Sequence, residues 1–234
     1  MKETIQMTIT VVKIGGSIAT YPDELRALCK KISVLSKKFR VVVVPGGGEF
    51  ADTVRQLDQR YNLTIRISHH MAIYAMNQYG LMLTDLIPDS VVVEEVAQTK
   101  IVLDKNLTPV FLPAKLMLAE DPLENSWNVT SDSIAFYIAA KLEASKLVVV
   151  TDVDGIYNND PKIQSSLLIN QITAKELVTI SKRTSIDITL PKLLKNSNLS
   201  CVVLNGLYPD RLESALMNQK VVGTLISNFS NLKK

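Results

Sequence analysis

Six short runs rich in β-branched and other apolar residues punctuate this chain: Ile9–Ile14 and residues 41–44, 91–93, 110–112, 147–150 and 201–204, each bounded by turn formers. Several lack polar alternation, the pattern of strands covered on both faces. Helical patterns lie between them. The plainest spans Pro22–Ser36, where Leu25, Leu28, Ile32 and Leu35 share one stripe, Pro22 suits the first turn, and Asp23 and Glu24 meet the positive end of the helix dipole. Further helices are predicted after Gly48 and over residues 70–83, 132–142, 174–182 and 210–218. Alternating strand and helix give an α/β fold, a three-layer αβα sandwich with a mainly parallel central sheet, whose ligands sit outside the carboxyl ends of the strands. No repeat, low-complexity tract or long linker divides the 234 residues, so 1–234 is expected to be one domain. Different motifs in its two halves suggest lobes of about 1–140 and 141–234.

Composition narrows the class. Apolar residues are 47% and charged residues 21%, which excludes a disordered chain and a disulfide-knit scaffold. Lys plus Arg number 26 against 23 Asp plus Glu, and a net charge of +3 is too even for a partner held by its phosphate backbone, so no nucleic acid is expected. Cys29 and Cys201 are too isolated for a disulfide framework, a cysteine zinc site or a redox CxxC, which points to a reducing compartment. The opening MKETIQM has no apolar signal segment, and no apolar run approaches the roughly 20 residues that span a bilayer. A cytoplasmic protein without a membrane partner is expected.

Two strands run into glycine turns: Lys13-Ile14-Gly15-Gly16-Ser17 and Val44-Pro45-Gly46-Gly47-Gly48-Glu49. Glycine lets main-chain N–H groups approach an anion, and a helix start aims its unpaired N–H groups at the same point. One such turn is ordinary punctuation. Two of them, holding five of the nine glycines, point to phosphate. Lys13 reinforces this, because a cation in an apolar run is costly to bury unless an anion meets it. GxxxxGK[ST] and GxGxxG are both absent, so the Walker and Rossmann phosphate motifs are excluded. Further on, Asn128, Thr130, Ser131 and Asp132 crowd the start of a helix, where capping employs one or two of them and leaves the rest to bind something. The loop after residue 150, Thr151-Asp152-Val153-Asp154-Gly155-Ile156-Tyr157, lies where nucleotides bind in α/β sheets.

KIGGS, VPGGGEFAD, WNVTSDSIA and TDVDGIYNNDPK, in this order and spacing, resemble the amino acid kinase superfamily. The resemblance covers nearly the whole chain and implies an ATP-dependent phosphotransferase using Mg²⁺ held mainly by phosphate oxygens and water, with no protein metal site. It implies that Lys13 and Lys192 neutralise the phosphoryl group in flight, that Asp152 organises those lysines, and that Gly15, Gly16, Gly46, Gly47 and Gly48 serve donor and acceptor phosphates. Ser17, Thr151, Asp154, Gly155 and Tyr157 would join the nucleotide site, and the resemblance implies a homo-oligomer. SHHMAIYAMNQYG, WNVTSDSIA and IDITLPKLL are similar to the branch that converts aminomethylfuran-methyl phosphate to its diphosphate in methanofuran biosynthesis. The acceptor would then be a small phosphate-bearing molecule. Other kinases of the fold, acting on isopentenyl phosphate, carboxylates or nucleotides, and a non-catalytic nucleotide- or oxyanion-binding protein are the alternatives.

Isopentenyl phosphate kinases carry a histidine shortly after the triple glycine, where this chain has Asp52. Asp52, with Glu49, is expected to pair with a cationic group on the acceptor, and Arg55 to hold its phosphate. The alternative is a surface ion pair between Asp52 and Arg55. His69 and His70 lack metal-ligand partners and are expected at the surface or as caps. Trp127 belongs to the core or to the acceptor wall, and Met71, Met76 and Met82 belong to packing.

Overall fold

The computed structural model describes residues 8–180 and 184–227. The six apolar runs form strands β1 (Ile9–Ile14), β2 (Arg40–Pro45), β3 (Ser90–Val93), β4 (Thr108–Phe111), β5 (Lys146–Thr151) and, later in the chain, β7 (Ser200–Asn205). Two further strands, β6 (Gln171–Thr173) and β8 (Gly223–Ser227), complete one sheet of order β3-β4-β2-β1-β5-β7-β8-β6. All neighbours pair parallel except β7 with β8, so β8 and its parallel partner β6 run against the other six.

The helices are α1 (Pro22–Ser36), α2 (Gly48–Tyr61), α3 (Ile65–Leu86), α4 (Val96–Asp104), α5 (Ala114–Glu120), α6 (Ser131–Lys141), α7 (Ala174–Ile180), α8 (Leu190–Leu194) and α9 (Asp210–Leu216). The predicted helix over 174–182 has its last two positions outside the described residues. None is long and apolar enough to cross a membrane among the described residues.

Strand side chains alternate between the two faces, and the core divides accordingly. Val11, Val42, Val44, Leu147 and Val149 pack with Ile134 and Ile138 of α6, with Leu142 just after it, and with Leu190 and Leu194 of α8. Val12, Ile14, Val41, Val43, Val148 and Val150 pack with Leu25, Leu28, Ile32 and Leu35 of α1, Tyr79 and Leu83 of α3, and Leu212 of α9. These two cores make the three layers of a sandwich. On the α1 face, Lys31 bridges to Asp210 at 2.8 Å and Glu213 at 2.5 Å, tying α1 to α9.

Topology fixes where a ligand goes. From β1 the chain moves one way to β2, goes on to the edge strand β3, comes back to β4 between them, then crosses β1 to β5. The direction of winding therefore reverses beside β1, and the carboxyl ends of β1, β2 and β5 open on the crevice that such a reversal leaves. Lys13 lies one residue from the end of β1, in register with Val44 of β2 and Val149 of β5.

Candidate active site

At the end of β1 the chain turns through Gly15 into a short 3-10 turn, Gly16–Thr20, and at the end of β2 it turns through Gly46 and Gly47 into α2. Neither start has a side-chain cap. The turns abut so closely that a Cβ on Gly16 would lie 2.2 Å from the nitrogen of Gly48, and Gly48 itself has φ +54°, in the left-handed region that glycine tolerates. Gly16 and Gly48 are the first residues of their helical turns, their N–H groups make no main-chain hydrogen bond among the described residues, and both residues line the crevice. Gly15 and Gly46 differ from expectation: the N–H of Gly15 donates to the carbonyl of Val150 at 2.8 Å and that of Gly46 to Ile14 at 2.8 Å. Their N–H groups are spent on joining strands, which builds the cradle and leaves none for phosphate.

Lys13 emerges beneath this cradle and pairs with Asp132 of α6, Nζ to Oδ1 at 2.7 Å. The resemblance gave the organising role to Asp152, and the geometry corrects this. Asp152 has no ion pair among the described residues, and its Oδ1 accepts a hydrogen bond from the hydroxyl of Thr151 at 3.1 Å. Asp132 reaches Lys13 because β1 and α6 pack on one face of the sheet, whereas Asp152 lies beyond the end of β5.

Asp187, just before α8, holds Asp132 in place. Its main-chain N–H donates to Asp132 Oδ2 at 3.0 Å. Its own carboxylate, 2% exposed, accepts six hydrogen bonds: from the N–H and hydroxyl of Thr130, from the N–H and hydroxyl of Ser133, and from the N–H groups of Thr189 and Leu190. It thereby serves the starts of α6 and α8 together. Burial, reinforced by the Asp132 carboxylate, pushes its pKa up against the pull of these hydrogen bonds. Thr130 is the cap residue of α6, accepting from the N–H of Asp132 at 3.4 Å.

Two cavities meet here. The first, about 310 Å³, is lined by Lys13, Gly15, Gly16, Ser17, Gly47, Gly48, Glu49, Asp52, Arg55, Thr130, Ser131 and Asp132, and also by His69 and Trp127. The second, about 440 Å³, is lined by Thr151, Asp152, Gly155, Tyr157, Asn159 and Asp160. Thr151 and Ser185 line both. Most expected residues therefore gather, but Gly15, Gly16 and Ser17, expected on the nucleotide side, line the first cavity. Asn128 is exposed and lines neither; among the described residues only its main chain bonds, to Ser126 and Thr189.

Two expected nucleotide-side residues are engaged elsewhere. Asp154 pairs with Arg211 at 2.5 Å and accepts from Asn205 at 3.1 Å; partial burial works upward, yet these partners hold its carboxyl below the usual range. It braces the loop against β7 and α9 rather than facing the cavity. Lys192 does not converge with Lys13. The buried side of α8 is Leu190, Pro191 and Leu194, which turns Lys192 outward into a separate hollow with Thr184 and Asp187.

One wall of the first cavity is more ordered than its sequence suggested. Arg55 pairs with Asp52 at 2.5 Å and lies 5.0 Å from the centre of the Trp127 ring. The indole N–H donates to Asp58 at 2.8 Å, and Asp58 accepts from Ser68 at 2.7 Å. Trp127 packs with Ala51, Val54 and Ala75, and Met76 is core. His69, expected at the surface or as a cap, is 5% exposed, and burial lowers its pKa despite a hydrogen bond with the Ser126 main chain. Sequence reasoning missed the anchoring contacts of Asp187 and the places of Ser185 and His69 in the cavity walls. The quoted IDITLPKLL segment contains Asp187, but nothing local to it announces partners more than fifty residues away.

A fixed ammonium, a carboxylate that holds it, and two glycine turns lining one crevice form an anion site suited to phosphoryl transfer, which needs no covalent nucleophile. A model of the amino acid kinase family matches residues 8–205, and the chain belongs to that family: it is a kinase, a phosphotransferase. Over 222 residues it is 34% identical to the (5-(aminomethyl)furan-3-yl)methyl phosphate kinase of Methanocaldococcus jannaschii, covering 95% of this chain and 99% of that enzyme. It is 25% identical over 237 residues to the uridylate kinase of Archaeoglobus fulgidus, covering 93% and 99%. Among solved structures, UMP kinase from Ureaplasma parvum aligns with TM-score 0.76 and 22% identity over 95% of this chain and all of that one.

Proposed function

We propose that this chain transfers the γ-phosphoryl group of ATP to a small phosphomonoester, (aminomethylfuranyl)methyl phosphate, giving the diphosphate in methanofuran-type cofactor biosynthesis. The observation that carries this reading is the Lys13–Asp132 pair lying beneath two abutting glycine turns, where one cavity opens onto another. The similarity to the Methanocaldococcus enzyme supports the choice of acceptor.

Lys13 and the N–H groups of Gly16, Gly47 and Gly48 stabilise charge on the transferred group, and Asp132 fixes the ammonium. An ionised phosphate acceptor needs no strong general base. The acceptor cavity draws nearly all its lining from residues 13–134, and the second cavity from residues 151–185, which supports acceptor and nucleotide lobes within one domain. Asp52 and Glu49 take the aminomethyl group, and Arg55 the acceptor phosphate. Thr151, Asp152, Gly155 and Tyr157 line the nucleotide. Lys192 lines a separate hollow and lies outside this set.

Among the described residues no cluster of three or more acidic, His or Cys side chains is placed to hold a metal. Mg²⁺ would be held mainly by phosphate oxygens and water, with Asp152 in the wall of the second cavity as a protein carboxylate, and would supply charge neutralisation. The reading takes the chain as a cytoplasmic homo-oligomer. Ile67, Tyr74 and Leu81 of α3 are 49%, 54% and 55% exposed at seven-residue spacing, a stripe that a second copy would cover.

The test is ADP release from ATP and Mg²⁺ with phosphorylated aminomethylfuran, isopentenyl phosphate, UMP, N-acetylglutamate and no acceptor. Fastest turnover on the furan is expected. Preference for UMP or a carboxylate would replace the acceptor, and ATP binding without turnover on any acceptor would leave a nucleotide-binding protein.

A further inference from the structure

We infer that the Ser185 hydroxyl contacts the phosphoryl group as it crosses between the two cavities, an inference that rests on the kinase reading above. Ser185 and Thr151 are the residues common to both cavity walls. Their hydroxyls differ. Thr151 donates to Asp152 at 3.1 Å, whereas Ser185 Oγ is buried and has no hydrogen-bond partner among the described residues. Its neighbours turn inward on themselves: the N–H of Thr184 donates to the Ile186 carbonyl at 3.3 Å and the N–H of Ile186 to the Thr184 hydroxyl at 3.4 Å. The segment thus holds its shape without the Ser185 side chain.

A buried hydroxyl left unpaired weakens a fold, because it has given up water and gained nothing. At a passage between cavities the missing partner is the ligand. Ser185 also sits two residues before Asp187, whose side chain and N–H anchor α6, Asp132 and through it Lys13, so the hydroxyl is held on the same frame as the ammonium. In the transfer, an acceptor phosphate oxygen forms the new bond to the γ-phosphorus while the bond from that phosphorus to the β–γ bridging oxygen breaks. The electron pair leaves with ADP. Ser185 donates a hydrogen bond to an equatorial oxygen and keeps its proton. Such a contact strengthens as charge spreads over those oxygens, so it acts on turnover more than on binding.

The experiment compares wild type, Ser185→Ala and Ser185→Thr for kcat, both KM values and thermal midpoint, with ATP, Mg²⁺ and the wild type's best acceptor. Ser185→Ala is expected to lose about tenfold or more in kcat. Its KM values should stay within about twofold and its thermal midpoint should hold or rise. Ser185→Thr should recover part of the rate. An unchanged kcat, an effect confined to KM, or a lowered thermal midpoint accompanying the loss would each overturn the contact. A wild-type chain that releases no ADP with any acceptor would instead overturn the kinase reading beneath it.

Discussion

Lys13 and Asp132 form an ion pair of 2.7 Å with side chains 8% and 7% exposed. Removing one member of a pair so enclosed leaves a charge without a partner, a loss of about 3–5 kcal/mol in proteins generally. Asp132→Asn should therefore lower stability in urea unfolding as well as activity. The double change Lys13→Met with Asp132→Leu should recover most of the stability and none of the turnover. A double variant as unstable as Asp132→Asn would show that the pair does not act as a unit.

Asp187→Asn replaces an acceptor of six hydrogen bonds by a group whose amide faces N–H donors. The expected loss of stability is about 2–4 kcal/mol, larger than for an ordinary surface carboxylate. Chemical denaturation beside Asp160→Asn, an exposed loop carboxylate, provides the comparison. Equal midpoints would contradict a joint cap of α6 and α8.

Asp52 is 63% exposed in its pair with Arg55, so the pair contributes little to stability and Asp52 remains available to a ligand. Asp52→Asn should raise KM about fivefold or more for the amine-bearing phosphate, and leave an acceptor without the amine unaffected. An unchanged KM for the amine would assign Asp52 to the surface pair alone.

His69 is held below its ordinary pKa, first by burial, so the unfolded chain takes up a proton as pH falls through about 6.5 before the folded chain does. The stability contributed by neutral His69 is present above that pH and is lost as pH falls through its folded pKa. Between pH 7 and 5 the thermal midpoint of wild type should fall more steeply than that of His69→Gln. Parallel curves would contradict this.

Segments whose partners are local were legible in the sequence. β1 and α1 match their predicted ranges because a β-branched run, and an apolar stripe with Pro22, Asp23 and Glu24 at its head, carry their own signals. α3 starts five residues earlier than predicted: Ile65 and Ile67 are exposed there and break the apolar stripe. β6 has three residues and β8 leaves Leu225 38% exposed, so neither shows a buried-strand run; each is fixed by its neighbours in the sheet. α4 and α5, nine and seven residues long, have no side-chain cap to mark their starts. At the site, the glycine turns and Lys13 were legible because chemistry and spacing coincide. The pairing of Lys13 with Asp132, of Asp154 with Arg211, and the placing of Lys192 depend on packing across the sandwich, which no local spacing encodes.

Labelled γ-phosphate transfer from ATP to (aminomethylfuranyl)methyl phosphate, followed for wild type and Lys13→Met, tests the ammonium beneath the glycine cradles most directly. Labelled diphosphate product is predicted from wild type, with a fall of about 10³-fold in rate for the variant. Equal rates from the two proteins, or no labelled diphosphate from wild type, would contradict it.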